Sequence, residues 1–188
     1  MKKIISVAFL VLQISVYSQI TVEKMIFDEV NKNRSLFGLS KVIQDYSLDL
    51  AAKHHTKWMS LVGFSDIKKL MEIEISGGNG SHYESIDVPN FSELLTPEDR
   101  FIKFNNINNI TYSSEICIMT RATDSSNPIL NRYLPNSKLA KNIVEKFLKS
   151  IEHREEILSE FNDNINIGIS VIVKEDIAYT TICFVGKH

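Results

Sequence analysis

This sequence contains little cysteine or proline, and it has no large excess of positive or negative charge. It has only two cysteines and four prolines among 188 residues, and its 21 basic and 23 acidic side chains leave a net charge of −2. Such balanced charge does not give the basic surface typical of nucleic-acid binding, which argues against nucleic acid as a partner. Neither a repeat of fixed period nor a linker rich in Pro, Gly or Ser divides the chain, so we predict one domain.

Long hydrophobic runs are also absent. The apolar run from Ile4 to Val16 covers about 13 residues, or ~20 Å as a helix, whereas the hydrocarbon core of a bilayer is ~30 Å thick. Because the run follows two lysines and precedes Ser18, we expect residues 1–18 to be a secretory signal peptide. The mature chain, residues 19–188, is then a soluble secreted protein, extracellular or periplasmic, with no stable membrane anchor. The alternative, a buried amino-terminal helix, would place the lysines against the core.

The two cysteines have two alternative states. In the oxidising surroundings of an exported protein, Cys117 and Cys183 can form a disulfide. Both lie in strand-like runs, where a free cysteine is also a common small core residue. The sequence leaves both states open, since it does not give the distance between the two residues.

Hydrophobic periodicity predicts four main helices and three strands. The helices begin near Thr21, Ser47, Thr96 and Ser137. The strands are Ser114–Thr120, Ile165–Val173 and Tyr179–Val185, the last two forming an antiparallel hairpin. A short helix over Phe64–Met71 and a glycine-rich loop over Gly77–Gly80 lie between the second and third main helices. This order predicts an α+β domain with helices packed on a small antiparallel sheet.

Three short motifs are distinctive. The first helix ends in Asn31 and Arg34 before Gly38, Ser150–Arg154 has the pattern S-x-x-H-R, and Ile167–Ile169 forms a strand centred on glycine. These motifs resemble those of the CAP family, also called the SCP family, of cysteine-rich secretory, antigen 5 and pathogenesis-related proteins. The resemblance covers essentially the whole mature chain and implies a three-layer α-β-α sandwich.

The resemblance also implies a cleft that contains two histidines and two acidic residues. His153 matches the second histidine, and His82 is the best candidate for the first. Glu115 matches the glutamate of the G-E-N motif of the family, although serine and isoleucine replace its glycine and asparagine. The fourth, acidic member is not placed, with Glu84 and Glu152 nearby in sequence. The candidate catalytic residues of the cleft are therefore His82, Glu115 and His153.

In some members of the family the two histidines bind a divalent metal, so His82 and His153 are the candidate metal ligands. Two imidazoles and a carboxylate can hold a divalent cation such as zinc with an open position for water. No H-E-x-x-H motif is present, so this expectation depends on the resemblance. The alternative is structural, with His82 on a solvated loop and His153 packed near a helix end.

From these residues we expect a secreted CAP module that binds an extracellular protein partner, a small apolar ligand or a divalent metal in its cleft. The alternative is a metal-dependent, peptidase-like hydrolase with His82 and His153 as ligands and Glu115 as general base. The sequence leaves open whether the protein is an enzyme at all.

The other nucleophiles and histidines are interpreted as structural. No G-x-S-x-G elbow is present, which argues against a serine hydrolase. Strand alternation places Glu115 and Cys117 on one face of their strand, and the apolar strand is expected to raise the pKa of the Cys117 thiol and make it a poor nucleophile. His54 and His55 point about 100° apart on a helix, so we expect His54 at the surface and His55 in the core.

Overall fold

Six helices and four strands make up the part of the chain that the structure describes. The structure, a computed structural model, describes residues 20–75, 80–105, 110–124, 132–160 and 165–187. The helices are α1 (Val22–Leu36), α2 (Tyr46–Val62), α3 (Phe64–Ile75), α4 (Pro97–Asn105), α5 (Asn136–Lys149) and α6 (Ile151–Ile157). The strands are β1 (Ile43–Gln44), β2 (Ile110–Arg121), β3 (Ile165–Lys174) and β4 (Ile177–Lys187). The predicted signal peptide and the first three residues of the predicted glycine-rich loop lie outside the described residues.

Helix capping follows the sequence closely. The Thr21 side chain accepts a hydrogen bond from the Lys24 backbone N–H at 3.2 Å and begins α1. Thr96 does the same for α4, where its hydroxyl oxygen accepts from the backbone N–H of Asp99 at 3.2 Å. The predicted helices are therefore confirmed. The residues around His153, which lie outside the four main predicted helices, form the additional short helix α6.

The four strands form one mixed sheet in the order β1-β3-β4-β2. The hairpin is antiparallel as predicted, with Ile169 opposite Ile182, and β2 pairs antiparallel with β4, with Glu115 opposite Cys183. The two-residue strand β1 pairs parallel with β3, which makes the sheet mixed rather than purely antiparallel. Two residues are too few to show a period, so the sequence carries no signal for β1. Within the described residues β2 is an outer strand of the sheet.

Helices cover both faces of the sheet, which confirms the α+β class and the three-layer α-β-α arrangement. On one face α1, α5 and α6 pack on the isoleucines of β2 and β3, including Ile116 and Ile118. On the other face α2, α3 and α4 cover Cys117, Met119 and Cys183. Both faces of β2 are therefore buried from Ile116 to Met119, and its free edge lies between the two helical layers. None of the helices in the described ranges has the length and apolar character to cross a bilayer.

The backbone of α2 lies directly against β3 at Gly168. A Cβ at this position would lie 2.1 Å from the carbonyl carbon of Leu48 and 2.4 Å from the backbone nitrogen of Asp49. The Asp49 carboxylate accepts a hydrogen bond of 2.8 Å from the Ile169 N–H and fixes the helix to the strand. This close approach explains the glycine in the motif and places the following turns of α2 above the sheet.

The asparagine and arginine at the end of α1 join distant segments. The buried Arg34 guanidinium donates from Nη1 to the carbonyl oxygens of Ile157 (2.8 Å) and Ser159 (3.1 Å), at the end of α6. The Asn31 side chain accepts from the Val42 N–H at 2.8 Å and donates to its carbonyl oxygen at 3.3 Å. The Arg34 bonds hold α6, and with it His153, against the end of α1, whereas the Asn31 bonds fix the chain at Val42, directly before β1.

Candidate functional site

A cleft of about 750 Å³ opens along β2, between α3 on one side and the α5–α6 junction on the other. Its apolar wall includes Phe64, Met71, Ile116, Ile118 and Met119. Its polar groups include Glu74, His82, Glu115, Cys117, Lys146, Glu152 and His153. The three residues predicted from the sequence to share a cleft, His82, Glu115 and His153, all line this one.

The loop that carries His82 is fixed by hydrogen bonds at several points. The Ser81 N–H and hydroxyl both donate to the same oxygen of Glu74, at 3.1 and 3.0 Å. Further along, the indole N–H of Trp58 donates to the carbonyl oxygen of Ile86 at 2.9 Å. His82 is therefore held over β2, with its side chain 18% exposed, and does not lie on a freely solvated loop.

Glu115 is buried, and both of its carboxylate oxygens accept hydrogen bonds. Arg100 donates from Nη2 to Oε1 at 2.6 Å and from Nε to Oε2 at 3.3 Å, and His82 Nδ1 lies 3.1 Å from Oε1. Burial alone would raise the pKa of Glu115, but the positive charges of His55 and Arg100 outweigh burial and hold this pKa well below its usual range. The carboxylate is thus a fixed anion that orients its neighbours, which does not suit the general-base role considered in the hydrolase alternative.

A second buried carboxylate, Glu84, completes the network behind the cleft. Its Oε1 lies 3.1 Å from His54 Nδ1, 3.2 Å from His55 Nδ1 and 3.1 Å from Arg100 Nη1. Its Oε2 accepts from the Leu95 N–H at 2.8 Å. Burial would raise the pKa of Glu84, but the hydrogen bonds from the two histidines and the charge of Arg100 lower it to about 2.

The prediction that His54 lies at the surface is wrong. Its side chain is only 13% exposed, and its ring packs on Phe91 with ring centroids 4.7 Å apart. Neighbouring helix residues point in different directions, yet both rings turn toward Glu84, which approaches α2 from the loop before α4. The prediction that His55 is in the core is confirmed, since the side chain is fully buried.

Arg100 is the central residue that sequence reasoning missed. It is fully buried and, besides both carboxylates, donates to the carbonyl oxygens of Leu95 (2.6 Å) and His82 (3.0 Å). Its one sequence signal is its position beside Phe101, near the apolar face of a helix, where an arginine is rarely buried without partners. Glu84 carries no comparable signal, because it lies in a stretch without periodicity.

Cys117 and Cys183 are both buried and free, so the disulfide alternative is not the one found in the structure. The Cys117 sulfur lies 3.9 Å from His82 Nε2 and 3.4 Å from the Ser81 hydroxyl. Burial would raise the pKa of this thiol, but the charges and hydrogen bonds of His82 and His55 together outweigh burial and lower the pKa to about 6. The expectation of a raised pKa is therefore wrong, because the face of β2 that carries Cys117 meets an imidazole as well as apolar side chains.

His153 lines the opposite wall of the cleft. Its ring meets the Phe147 ring edge-on, with centroids 5.3 Å apart. Its Nδ1 is buried and has no hydrogen-bond partner among the described residues. Burial and the positive charge of His82 lower the pKa of His153. The ring thus combines packing, as in the structural alternative, with a buried nitrogen that has no partner among the described residues.

The described residues do not form a ready metal site. No group of three or more His, Cys, Asp or Glu side chains among them is arranged to hold a metal ion. His82 uses Nδ1 for Glu115, while its Nε2 lies 3.4 Å from Glu74 Oε1. The residues as arranged therefore do not fit a three-ligand zinc centre, and metal binding by His82 and His153 stays a prediction.

Comparison with known proteins identifies related folds. No protein-family profile and no curated protein sequence matches the chain. Among solved structures it is similar to an outer surface protein from Borrelia burgdorferi, with a TM-score of 0.51 and 17% identity over 89% of this chain and 93% of that chain. At this identity the similarity shows a shared fold alone.

Two further structures match with TM-scores below 0.5, too low to support a conclusion about this chain. An extracellular protein containing a SCP domain from Bacillus anthracis gives a TM-score of 0.47 and 20% identity over 88% of this chain and 40% of that chain. A cysteine-rich secretory protein from Staphylococcus aureus gives 0.45 and 14% identity over 88% and 38%. The chain thus spans about two fifths of the length of each of these two proteins.

Proposed function

We propose that this chain is an exported member of the CAP family that acts as a binding module and takes a small, partly apolar ligand in the cleft between His82 and His153. Export is supported by the signal-like amino-terminal sequence and by the outer surface protein that shares the fold. Family membership is supported by the three-layer fold together with the S-x-x-H-R and glycine-centred strand motifs.

The observation that carries the proposal is the pairing of an apolar wall with an unused polar atom. Ligand sites are typically clefts of ~300–1,000 Å³ with mostly apolar linings and a few polar groups that fix orientation. The cleft along β2, at about 750 Å³, falls in this range. A buried nitrogen without a partner, such as His153 Nδ1, is rare unless a ligand or water completes it.

The hydrolase alternative is less well supported by the same geometry. A general base needs a lone pair directed at substrate, whereas Glu115 directs both oxygens at Arg100 and His82. Protonating it would also leave the buried Arg100 with one anionic partner fewer. Binding by His82 and His153 requires no such rearrangement.

The test is calorimetric titration of the purified chain with three probes: decanoate, decylamine and zinc chloride. Decanoate and decylamine share an alkyl chain for the apolar wall and differ in the sign of their charge. Burial contributes roughly 0.8 kcal/mol per CH₂, so five buried methylenes give about −4 kcal/mol, or a Kd of ~1 mM. We expect at least one alkyl probe to bind with this affinity or better.

The matched variants are a His82→Ala, His153→Ala double variant and a His188→Ala control, which removes an imidazole from the last position of the chain. We expect the double variant to bind the alkyl probe at least ~10-fold more weakly, a loss of about 1.4 kcal/mol, and the control to bind as the parent does. Equal binding by the double variant would overturn the proposal. Zinc binding that depends on both histidines, without alkyl binding, would favour the metal alternative instead.

A further inference from the structure

Three side chains form a relay from the wall of the cleft into the protein. Cys117 Sγ lies 3.9 Å from His82 Nε2, and His82 Nδ1 lies 3.1 Å from Glu115 Oε1. Because carboxylates can only accept, Nδ1 carries the hydrogen that faces Glu115, and Nε2 carries the hydrogen that faces Glu74 Oε1 at 3.4 Å and the sulfur at 3.9 Å. The pair is therefore an imidazolium beside a thiolate. Thiol, imidazole and carboxylate stand in the order in which an adjacent base activates a nucleophile and a third group orients the base.

Neighbouring side chains hold the three residues of the relay in place. Arg100 holds Glu115 by two hydrogen bonds, so the carboxylate that orients His82 is itself fixed. The His55 ring stacks on the His82 ring, with centroids 6.4 Å apart and planes 9° from parallel. His55 Nε2 is fully buried and lies 3.8 Å from Glu115 Oε1, and the His55 side chain also interacts with Cys117. Two imidazoles therefore adjoin the sulfur.

The second cysteine shows the contrast. Cys183 lies on β4, opposite Glu115, and its nearest polar partner is Glu115 Oε2, at 3.8 Å from the sulfur. Burial and the Glu115 charge raise the pKa of this thiol well above its usual value. Cys183 does not line the cleft, whereas Cys117 does. The protein thus contains an activated thiol and an inert one within one network.

We propose that Cys117 is a nucleophile that accepts acyl groups from esters or thioesters bound in the cleft, with His82 as its base and Glu115 as the residue that positions His82. The inference rests on the cleft being the ligand site proposed above. The apolar wall of Phe64 and Met71 suits the hydrocarbon part of an acyl group. The carboxylates Glu74 and Glu152 at the same cleft disfavour phosphate esters by repulsion.

The reaction balances with water as the only co-reactant. The Cys117 proton resides on His82, so the thiolate sulfur attacks the carbonyl carbon directly. The bond to the leaving oxygen or sulfur then breaks, the leaving group takes the proton from His82, and the acyl group remains on Cys117 as a thioester. Water attacks the thioester as His82 takes one of its protons. The carboxylic acid leaves, and Cys117 returns to the thiolate beside the protonated His82.

The experiment treats the purified chain with 4-nitrophenyl butyrate. We expect a rapid release of about one equivalent of 4-nitrophenolate per chain and a butyryl thioester on Cys117, mapped by mass spectrometry after acid quench and pepsin digestion. Cys183 in the same molecules is the internal control and should remain unmodified. Cys117→Ala and His82→Gln should each slow the release at least ~100-fold, whereas His188→Ala should not change it.

Two results would overturn the inference. Butyryl groups found on lysines, or equally on both cysteines, would show that Cys117 has no special reactivity. This result is obtained with the parent chain alone and does not depend on whether a variant folds. Release that persists in a folded Cys117→Ala variant would do the same. Calorimetry with the alkyl probe separates the two proposals, because binding without acylation overturns only the acyl-transfer step, whereas loss of binding in the parent chain overturns both.

Discussion

Arg100 holds two carboxylates in a part of the molecule where charges are costly. It contacts Glu84 at 3.1 Å and Glu115 at 2.6 Å, and all three side chains are at most 1% exposed. A buried ion pair contributes little net stability, but removing one partner is strongly destabilising, because the remaining buried charge then has no opposite charge beside it. The network therefore makes the stability of the domain depend on each member.

Glu84→Gln should lower the free energy of unfolding by about 3 kcal/mol at pH 7. The amide keeps the size of the side chain but removes the charge that faces His54, His55 and Arg100. Urea denaturation monitored by circular dichroism measures the change. Glu93→Gln is the matched control, since Glu93 pairs with Lys103 at the exposed surface, and it should change stability by less than about 0.5 kcal/mol.

The same variant predicts how stability depends on pH. The pKa of Glu84 is lowered from its ordinary value of 4.5 to about 2 in the folded protein. Its contribution is therefore fully present above pH 4.5 and is lost as the pH falls toward 2. The difference in unfolding free energy between the parent and Glu84→Gln should shrink over this interval. A difference that stays constant from about pH 7 to about pH 2.5 would contradict the buried ion network.

The sequence predicted which residues line the cleft better than it predicted what each of them does there. His82, Glu115 and His153 were found through the family resemblance, which matches them to its cleft residues. The low pKa of Cys117 was not found, because it depends on His82, which lies on a distant loop. Arg100 was missed for the same reason, and Glu84 was named only as one of two unplaced acidic candidates, since each has its partners in other elements.

The position of α2 against β3 depends on the absence of a side chain at Gly168. At Gly168 the two backbones approach too closely for any Cβ, and the Asp49 carboxylate then caps the Ile169 N–H. Alternation of apolar residues predicted the strand, and resemblance to a motif singled out the glycine. Neither the alternation nor the motif explains why the residue is glycine, because the explanation is its contact with α2, a helix much earlier in the chain.

Gly168→Ala should destabilise the domain by at least about 2 kcal/mol, because the methyl group must displace the backbone of α2 rather than a flexible side chain. Gly186→Ala is the matched control on β4, where a Cβ would meet the Thr111 hydroxyl oxygen at 3.3 Å and a small adjustment relieves the contact. Thermal unfolding of both variants measures the difference. Equal costs at the two positions would contradict the close approach of α2 to β3.

At the scale of the whole molecule, periodicity predicted most of the fold. The main helices, β2 and the hairpin follow from apolar spacing and capping residues, and the α+β class follows from the order of these elements. The three layers were implied by the family resemblance. The parallel strand β1 and the short helix α6 are too short to show a period. The cleft needs three separate segments, α3, β2 and the α5–α6 junction, to meet, and no local pattern specifies that meeting.

Both proposals require His82 and His153 to face one cleft, and the pKa of His153 tests this most directly. Burial and the positive charge of His82 lower the pKa of His153, so His82→Gln should raise that pKa. Titration of the imidazole resonances by NMR in the parent chain and the variant measures it, with His188→Ala as the control that should leave it unchanged. A pKa of His153 that is the same with and without the His82 imidazole would contradict the shared cleft.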